Sequence, residues 1–187
     1  MVQSLDHDRP PEMCISRHQK MRIYSLSESS CEWSIVLQPL NFPQIDFLFR
    51  EQEEQKQIFD IVRQKYVALT PEEWVRQHWI HFLIHARSVP QGLMAVETVL
   101  RVHGFSKRCD ILVHDRKIQP VMVIECKAPQ VKLDRDTAWQ IALYNMKLRA
   151  PYLAISNGLH HFICKIDFKN SKAVFFDHIP DYAELTA

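Results

Sequence analysis

Residues 107–129 of the chain, KRCDILVHDRKIQPVMVIECKAP, are the stretch around which the other segments can be arranged. Their pattern predicts two apolar strands that flank a polar turn. Each strand carries one isolated acidic residue, Asp110 in the first and Glu125 in the second, and Lys127 follows two positions later. Apolar strands tolerate charge poorly, because a buried charge loses its hydration. Three charged groups at these places therefore need a chemical explanation.

The position assumed for the turn predicts a register for the hairpin. A turn centred on residues 117–118 pairs Asp115 with Pro120. The same register places Asp110 directly opposite Glu125 on one face, with Cβ atoms about 4.5–5.5 Å apart. A slip of one residue would move the two carboxylates to opposite faces.

Two facing carboxylates repel one another, and a divalent cation resolves that conflict. Asp110, Glu125 and the backbone carbonyl of Cys126 form an oxygen donor set that suits Mg²⁺, which takes few protein ligands and keeps several waters. Lys127 projects to the same side, where it can hold a nucleophilic water or a phosphate oxygen. These parts match metal-assisted hydrolysis of a phosphodiester. The simpler interpretation is a salt-bridged sheet face in which Lys127 pairs with Glu125.

Composition places limits on the function. The chain has 187 residues, which is enough for one domain with its own core. Its formal net charge is +1, so any nucleic-acid function must rest on a local site rather than on a global basic field. The five cysteines show no CxxC pair, which predicts reduced thiols and no structural zinc site. A GxxxxGK[ST] motif for nucleotide hydrolysis is absent from the sequence.

The chain divides into a leader and one domain. Residues 1–33 are polar and show no periodicity, and we expect them to form a mobile leader. Residues 34–187 are expected to form a single domain. The sequence contains no secretory signal and no apolar run near the ~20 residues that span a membrane, which predicts a cytoplasmic protein.

The first half of the domain is predicted to contain a small antiparallel meander, at about residues 45–50, 57–61 and 66–69. A helix follows, with Thr70 as N-cap, Pro71 in the first position and Glu73 completing a capping box. The helix should end near Arg87. Its apolar residues recur at helical spacing: Val75, Trp79, Phe82, Leu83 and Ala86.

The second half is predicted to contain strands on both sides of a second helix. Asp134 or Asp136 can cap that helix, which should run to about Leu148. A turn is expected at Ser156-Asn157-Gly158. The predicted strands cover about residues 95–102, 108–115, 121–126, 152–155, 160–166 and 173–176.

At the residues quoted above the chain resembles the PD-(D/E)xK nuclease superfamily. Asp110 stands for the aspartate of the motif, residues 125–127 stand for its (D/E)xK part, and Cys109 replaces the usual proline. The flanking segments resemble the N-terminal nuclease domain of type I restriction enzyme R subunits, particularly its stand-alone form. The resemblance covers roughly residues 37–167. It is carried by TPEEWVRQH (70–78), RCDI (108–111), IECKAP (124–129), QIALYN (140–145), APY (150–152) and SNG (156–158).

The resemblance implies an α/β fold with a restriction-endonuclease-like core of helix, three-stranded sheet, helix and strand, beside the small N-terminal meander. It implies Mg²⁺-dependent cleavage of DNA, with Mn²⁺ as a substitute ion. A Gln-x-x-x-Tyr motif follows the lysine in this family, and here it is Gln140 and Tyr144, which lie on one face of a helix. The implied partners are DNA and other restriction or helicase subunits. Cutting both strands takes two sites, so a homodimer is a further expectation.

Some relatives also place an acidic residue of the first helix near the metal. Glu73 is the candidate here, and its role in the capping box is the structural alternative. Glu97 in the first strand of the main sheet is a second candidate, with a plain structural contact as its alternative.

Two other groups of residues have simpler explanations. His78, His81 and His85 have helical spacing, but they lack the glutamate of the zincin pattern. We expect solvated histidines on an aromatic-lined helix face rather than a zinc site. Cys109 and Cys126 should face one another on the other side of the hairpin as buried thiols.

After the Ser-Asn-Gly turn, His160, His161 and Lys165 could contact phosphate, although surface alternation explains them more simply. Ser156 has no nucleophile-elbow pattern around it.

Two alternatives to a nuclease stay open. A nucleic-acid-binding or partner-docking module could keep the fold without cutting, and the near-zero net charge and the absent motor favour it. A general interaction domain could use the same charges only as a salt-bridge network. The intact Asp110, Glu125 and Lys127 set favours the nuclease over both.

Overall fold

The structure is a computed structural model that describes residues 37–102, 105–133, 145 and 148–187. The predicted leader, residues 1–33, lies outside these ranges, so the division into leader and domain stays a prediction. Most of the second predicted helix also lies outside them, and the described Asn145 and Leu148 are helical. No helix in the described part of the chain is long and apolar enough to cross a membrane.

The N-terminal meander is confirmed as a three-stranded antiparallel sheet. Its strands are β1 (Phe49–Gln52), β2 (Gln55–Asp60) and β3 (Lys65–Ala68), and β2 is the central one. The turn between β1 and β2 is made by Glu53 and Glu54, whose φ angles are 51° and 63°. Both glutamates are exposed, so the acidic run of the sequence keeps its hydration in the turn. The first strand begins at Phe49 rather than at residue 45.

Helix α1 (Pro71–Arg87) begins and ends where the sequence predicts. Thr70 Oγ1 accepts a hydrogen bond from the backbone N–H of Glu73 at 3.1 Å, which satisfies one free donor of the first turn. At the other end Ser88 adopts a left-handed conformation with φ 56°, which terminates the helical hydrogen bonding.

Helix α1 is buried over most of its surface, although the sequence predicts a single apolar face. All residues from Glu73 to Leu83 are buried. The main sheet covers one side of the helix. On another side Trp74 packs with Leu69 and Ile58 under the meander. Of the predicted face, only Ala86 is exposed.

The main sheet has six strands in the order β4-β5-β6-β7-β8-β9. All neighbouring strands are antiparallel except β6 and β7, which are parallel. A 3₁₀ turn (Gln91–Leu93) leads into the sheet and a short helix α2 (Tyr182–Leu185) follows it. The helix α2 was not predicted, although Asp181 and Glu184 form a capping box there. The strands are β4 (Met94–Val102), β5 (Phe105–His114), β6 (Pro120–Cys126), β7 (Tyr152–Ser156), β8 (His161–Asp167) and β9 (Lys172–Phe176).

The β5–β6 hairpin has the predicted register next to the charged residues. Ile111 pairs with Ile124, and the described ladder ends with this pair. Asp110 and Glu125 are the next residues along the two antiparallel strands. The slip that would have separated the two carboxylates is therefore absent from this part of the hairpin.

The predicted pairing of Asp115 with Pro120 is wrong. Pro120 pairs with His114 instead, after a shift of register beside the turn. The cause lies in the turn, where the Asp115 carboxylate accepts hydrogen bonds from the backbone N–H groups of Lys117 and Gln119, both at 2.8 Å. An aspartate that captures backbone amides draws one more residue out of the strand and into the turn.

Two hydrophobic clusters lie on opposite faces of the main sheet. The larger cluster packs α1 against one face, through Trp79, Leu83, Ile111, Met122 and Ile124 among others. The smaller cluster occupies the other face, through Cys109, Leu112, Val123, Ala150, Leu153 and Ile155. The two sets alternate along the strands, as the period-two pattern of the sequence predicts, except at Cys109, which lies on the opposite face from Ile111.

Candidate functional site

The Asp110 side chain is buried, and both of its carboxylate oxygens are engaged. Oδ2 accepts a hydrogen bond from the backbone N–H of Cys126 at 2.7 Å, and Oδ1 accepts one from Arg76 Nη2 at 2.8 Å. The described β5–β6 ladder ends with the Ile111–Ile124 pair. Beyond this pair, the Asp110 carboxylate accepts the hydrogen bond that a backbone carbonyl of β5 would accept in a longer ladder. Asp110 thereby connects β5 to the end of β6 and to helix α1.

This change in bonding accounts for an incorrect prediction about the cysteines. Cys109 and Cys126 do not face one another: Cys109 belongs to the smaller hydrophobic cluster and Cys126 to the larger one. Both cysteines are buried thiols, as predicted. Burial, together with the charge of Asp110, raises the pKa of the Cys126 thiol well above its usual value. The thiol therefore stays protonated and acts as an apolar group.

Glu125 and Lys127 form a salt bridge at the end of β6, with Lys127 Nζ 2.9 Å from Glu125 Oε1. The lysine side chain keeps 30% of its exposure, so its ammonium group reaches solvent. Burial alone would lower the pKa of Lys127, but the hydrogen bond with Glu125 and the charges of Glu125, Glu72 and Asp110 outweigh it and raise the pKa. Lys127 is therefore a cation at neutral pH.

The acidic residue of α1 that approaches this group is Glu72. It interacts electrostatically with Asp110, Lys127 and Glu125, and burial and the charge of Asp110 raise its pKa. Its Oε1 accepts a hydrogen bond from Arg76 Nη2 at 3.1 Å. Neither Glu72 nor Arg76 was predicted to belong to the site, although their i, i+4 spacing on a helix is typical of an ion pair.

Glu73 and Glu97, the two acids that were predicted to lie near a metal, are paired with arginines. Glu73 accepts hydrogen bonds from Arg63 Nη2 at 2.7 Å and from Arg76. Glu97 pairs with Arg63 and, at 3.0 Å, with Arg108. Burial favours a higher pKa for Glu97, but the hydrogen bond with Arg108 and the nearby arginine charges lower it. Glu97 thus makes the structural contact that was its alternative. The Glu73 carboxylate pairs with arginines instead, so only the Thr70 half of the predicted capping box is seen.

Arg76 lies at the centre of these acids and is almost fully buried. Its guanidinium group contacts Asp110, Glu72 and Glu73. Burial opposes its charge, but the charges of Asp110 and Glu73 outweigh that effect and raise the pKa of Arg76. In the described ranges, no group of three or more His, Cys, Asp or Glu side chains has the arrangement of a metal site. The acids are arranged around a guanidinium group instead.

The predicted Ser-Asn-Gly turn after β7 is confirmed, and it holds the backbone around the lysine. The backbone N–H of Lys127 donates to the carbonyl of Ser156 at 2.8 Å. The buried Asn157 side chain donates to the carbonyl of Val131 at 2.9 Å, in the segment that follows the lysine. Gly158 supplies the φ of 82° that the turn requires.

The prediction for the three helix histidines is wrong for two of them. His85 is exposed, but His78 and His81 are buried, and burial lowers the pKa of each to about 4. His78 Nδ1 lies 2.9 Å from the carbonyl of Trp74. The meander and the N-terminal segment cover this side of α1, and the Phe47 ring packs against both buried imidazoles in tilted and edge-on orientations. A neutral imidazole therefore serves as a core side chain here.

His161 is also buried, so surface alternation does not explain it. Its Nδ1 lies 2.7 Å from Ser156 Oγ, and its Nε2 lies 3.2 Å from the carbonyl of Asn41. His160 and Lys165 are exposed, as alternation predicts. Gln140 and Tyr144 lie outside the described residues, and their positions stay a prediction.

The features that define this class of protein are a mixed α/β fold with one antiparallel and one mixed sheet, and a buried cluster of acids at the ends of β5 and β6. The sequence model of the type I restriction enzyme R protein N terminus (HSDR_N) matches residues 71–180, which is more than half of the chain. The chain belongs to this family. The match includes α1 and the whole main sheet, and it begins after the meander.

Among solved structures, the chain is similar to a fragment of a protein assigned as an HsdR subunit of a type I restriction enzyme from Vibrio vulnificus YJ016. The two are 18% identical, with a TM-score of 0.40, over 59% of this chain and 24% of that one. This chain thus spans about a quarter of the length of that fragment. No curated protein is significantly similar to the chain.

Proposed function

We propose that this chain is a Mg²⁺-dependent nuclease that hydrolyses DNA phosphodiester bonds. The observation that carries the proposal is the convergence of Asp110, Glu125 and Lys127, all of which interact electrostatically with Glu72. Membership of the restriction enzyme R protein N-terminal family supports it. We further propose that α1, the strands β4 to β6, the helix that follows and β7 form a restriction-endonuclease-like core around these residues.

The donor chemistry of the site fits Mg²⁺. Asp110 and Glu125 supply carboxylate oxygens, and Mg²⁺ typically takes one or two carboxylates and completes its shell with water. These two residues and the Cys126 carbonyl would hold the ion. Glu72 would be the additional acid from α1, because it interacts electrostatically with Asp110, Glu125 and Lys127. When bound, the ion would supply Lewis-acid stabilisation of the phosphate. Mn²⁺ prefers the same ligands and should substitute for it.

Lys127 would supply a fixed positive charge. It keeps its proton, because Glu125 and the neighbouring acids raise its pKa, and its ammonium group reaches solvent. Three N–H donors allow it to hold a phosphate oxygen or to orient the attacking water. The Ser156 carbonyl and the Glu125 carboxylate keep it in place. Gln140 and Tyr144 are proposed to orient the site or to contact the substrate backbone.

The proposed partners are DNA and other subunits of a restriction system. The net charge of +1 gives the chain little attraction for DNA beyond the site itself. A larger assembly would supply the additional positive surface, and a homodimer would supply the second site for cutting both strands. We place this activity in the cytoplasm.

The test is incubation of plasmid and single-stranded DNA with the protein and Mg²⁺ or Mn²⁺. Lys127→Ala should slow cleavage at least about 100-fold, because it removes the charge next to the reacting phosphate. Lys132→Ala is the matched control, since it removes an exposed lysine from the same loop and should leave the rate unchanged. Cleavage that survives Lys127→Ala at the wild-type rate would disprove the proposed site.

A non-cleaving nucleic-acid-binding or partner-docking module is the second candidate. The pairing of Asp110 with Arg76 and of Glu125 with Lys127 favours it, because each acid already has a cationic partner. Salt-sensitive DNA binding without cleavage at any tested Mg²⁺ or Mn²⁺ concentration would support the module.

A further inference from the structure

Two arginines, the buried Arg76 and the partly buried Arg63, lie near the proposed site, and only one of them contacts a proposed metal ligand in the described structure. Arg76 Nη2 lies 2.8 Å from Asp110 Oδ1 and 3.1 Å from Glu72 Oε1. Arg76 is therefore bound to the same carboxylate oxygens that a cation would need. Its own helix supplies Glu72 and Glu73, while Asp110 comes from β5.

The second arginine, Arg63, makes a comparable set of contacts with other acids. It pairs with Asp60 at 2.6 Å, with Glu73 at 2.7 Å and with Glu97. Its side chain is 13% exposed, against 5% for Arg76. The two arginines thus share Glu73 as a partner and differ in that Arg76 binds Asp110.

We propose that Arg76 sets the affinity of the site for divalent cations by competing with the cation for Asp110. This inference rests on the proposed metal-dependent function. A guanidinium group and a metal ion both require the lone pairs of the carboxylate, and two positive charges a few ångströms apart repel one another. Each cation bound at Asp110 must therefore weaken or displace the contact with Arg76.

The structure also provides partners for Arg76 once it leaves Asp110. Glu73 and Glu72 stay within reach on the same helix, and Glu97 Oε1 lies 3.8 Å from Arg76 Nη1. The guanidinium group can thus remain neutralised in the buried environment while Asp110 binds an ion. Without the ion, Arg76 removes the repulsion between Asp110 and the neighbouring acids. Arg76 acts through Asp110 and is a positioning residue in this scheme.

The experiment is a titration of the protein with Mn²⁺ and with Mg²⁺ in the absence of DNA. Binding is measured by calorimetry and by the rise of the unfolding temperature, so no cleavage is needed for the readout. Arg76→Gln should lower the half-saturating Mn²⁺ concentration about tenfold, because it removes a competing charge. Arg63→Gln is the matched control. It removes a partly buried arginine that shares Glu73, and the half-saturating Mn²⁺ concentration of this variant should stay within about twofold of wild type.

Arg76→Gln leaves buried acids with fewer partners and can therefore fold poorly. A second variant keeps the test informative in that case. Arg76→Lys keeps the charge, but a single ammonium group cannot span Asp110, Glu72 and Glu73 as the fork of arginine does. It should lower the half-saturating concentration about threefold.

The outcomes separate this inference from the proposed function. One outcome would overturn the role of Arg76 alone. In it, the wild-type protein binds the metal ion, Asp110→Asn loses binding, and Arg76→Gln binds the ion no more tightly than wild type. The absence of saturable binding in every variant would overturn the metal-dependent function and the inference together. Tighter binding in both Arg76→Gln and Arg63→Gln would also overturn the inference, because it would show a general charge effect.

Discussion

Single polar atoms determine the geometry at the ends of β5 and β6. The backbone N–H of Cys126 is bonded to the side chain of Asp110 at 2.7 Å rather than to a strand carbonyl. Burial of a carboxylate is costly, and this bond together with the one from Arg76 compensates for the lost water. One aspartate therefore ends the described ladder, and the two strands can separate at the place where the proposed site lies.

Buried histidines make the stability of the protein depend on pH. Burial lowers the pKa of His161 to about 4, whereas an unfolded histidine titrates at about 6.5. Between these values the unfolded chain binds a proton that the folded chain does not. The stabilising effect is therefore complete above pH ~6.5 and is lost as the pH falls toward ~4. His78 and His81 act in the same direction.

We predict that His161→Gln reduces the pH dependence of the free energy of unfolding between pH 7 and 4.5. The reduction corresponds to about one fewer proton taken up on unfolding, and it is measured by urea unfolding. His160→Gln removes the exposed neighbour and should keep the wild-type slope. His161→Gln should also be less stable at pH 7, because it loses its contacts with Ser156 and Asn41. A wild-type slope in His161→Gln would show that this imidazole is protonated in the folded state.

At the scale of elements, helix α1 lies between two sheets, so its polar residues need partners within the protein. Gln77 donates to Asp60 and to Glu73, both at 2.8 Å, and Arg63 bridges the same two acids. This network connects the meander to α1, and Arg76 continues it to β5. A helix with only one covered face would have left these groups in water.

The start of α1 depends on its cap. Thr70→Ala should lower the free energy of unfolding by about 1 kcal/mol, because it removes the acceptor for the Glu73 N–H. Thr70 is exposed, so little packing is lost with it. Thr70→Ser keeps the oxygen and should cost less than about 0.5 kcal/mol in urea unfolding followed by circular dichroism. Equal losses in the two variants would contradict the capping role.

At the scale of the whole molecule, the N-terminal segment packs against the turn between β7 and β8. The backbone N–H of Asn41 donates to the carbonyl of Gly158 at 2.7 Å, and His161 contacts the carbonyl of Asn41. A Cβ at Gly158 would lie 2.8 Å from Leu40 Cδ2 and 3.1 Å from Val75 Cγ2. The segment, α1 and the turn that holds Lys127 thus meet at one glycine.

Gly158→Ala should therefore lower the free energy of unfolding by about 2 kcal/mol, through its φ of +82° and the crowding of Leu40. Gly92→Ala is the control, because a Cβ there has no atom within 4 Å, and its free energy of unfolding should change by less than about 1 kcal/mol. Both are measured by urea unfolding. If the two variants were equally stable, the close packing at Gly158 would be disproved.

Much of the fold was predictable because its signals are local. Thr70, Pro71 and the apolar residues of α1 identify the helix, and alternation identifies the strands. The register beside Asp110 followed from the same period of two. The shift at Pro120 was missed, because it depends on how the Asp115 side chain bonds in the turn.

The sequence by itself determined most of the described elements, the family and the proximity of Asp110, Glu125 and Lys127, since these depend on local patterns and on neighbours along one hairpin. Tertiary structure alone decided which groups neutralise them. Arg76 lies 34 residues from Asp110, and Arg63 lies 34 residues from Glu97. Their pairing depends on the packing of α1 against β5 and the meander, and no local pattern encodes a contact over that distance. The same packing placed Glu72 rather than Glu73 beside the site.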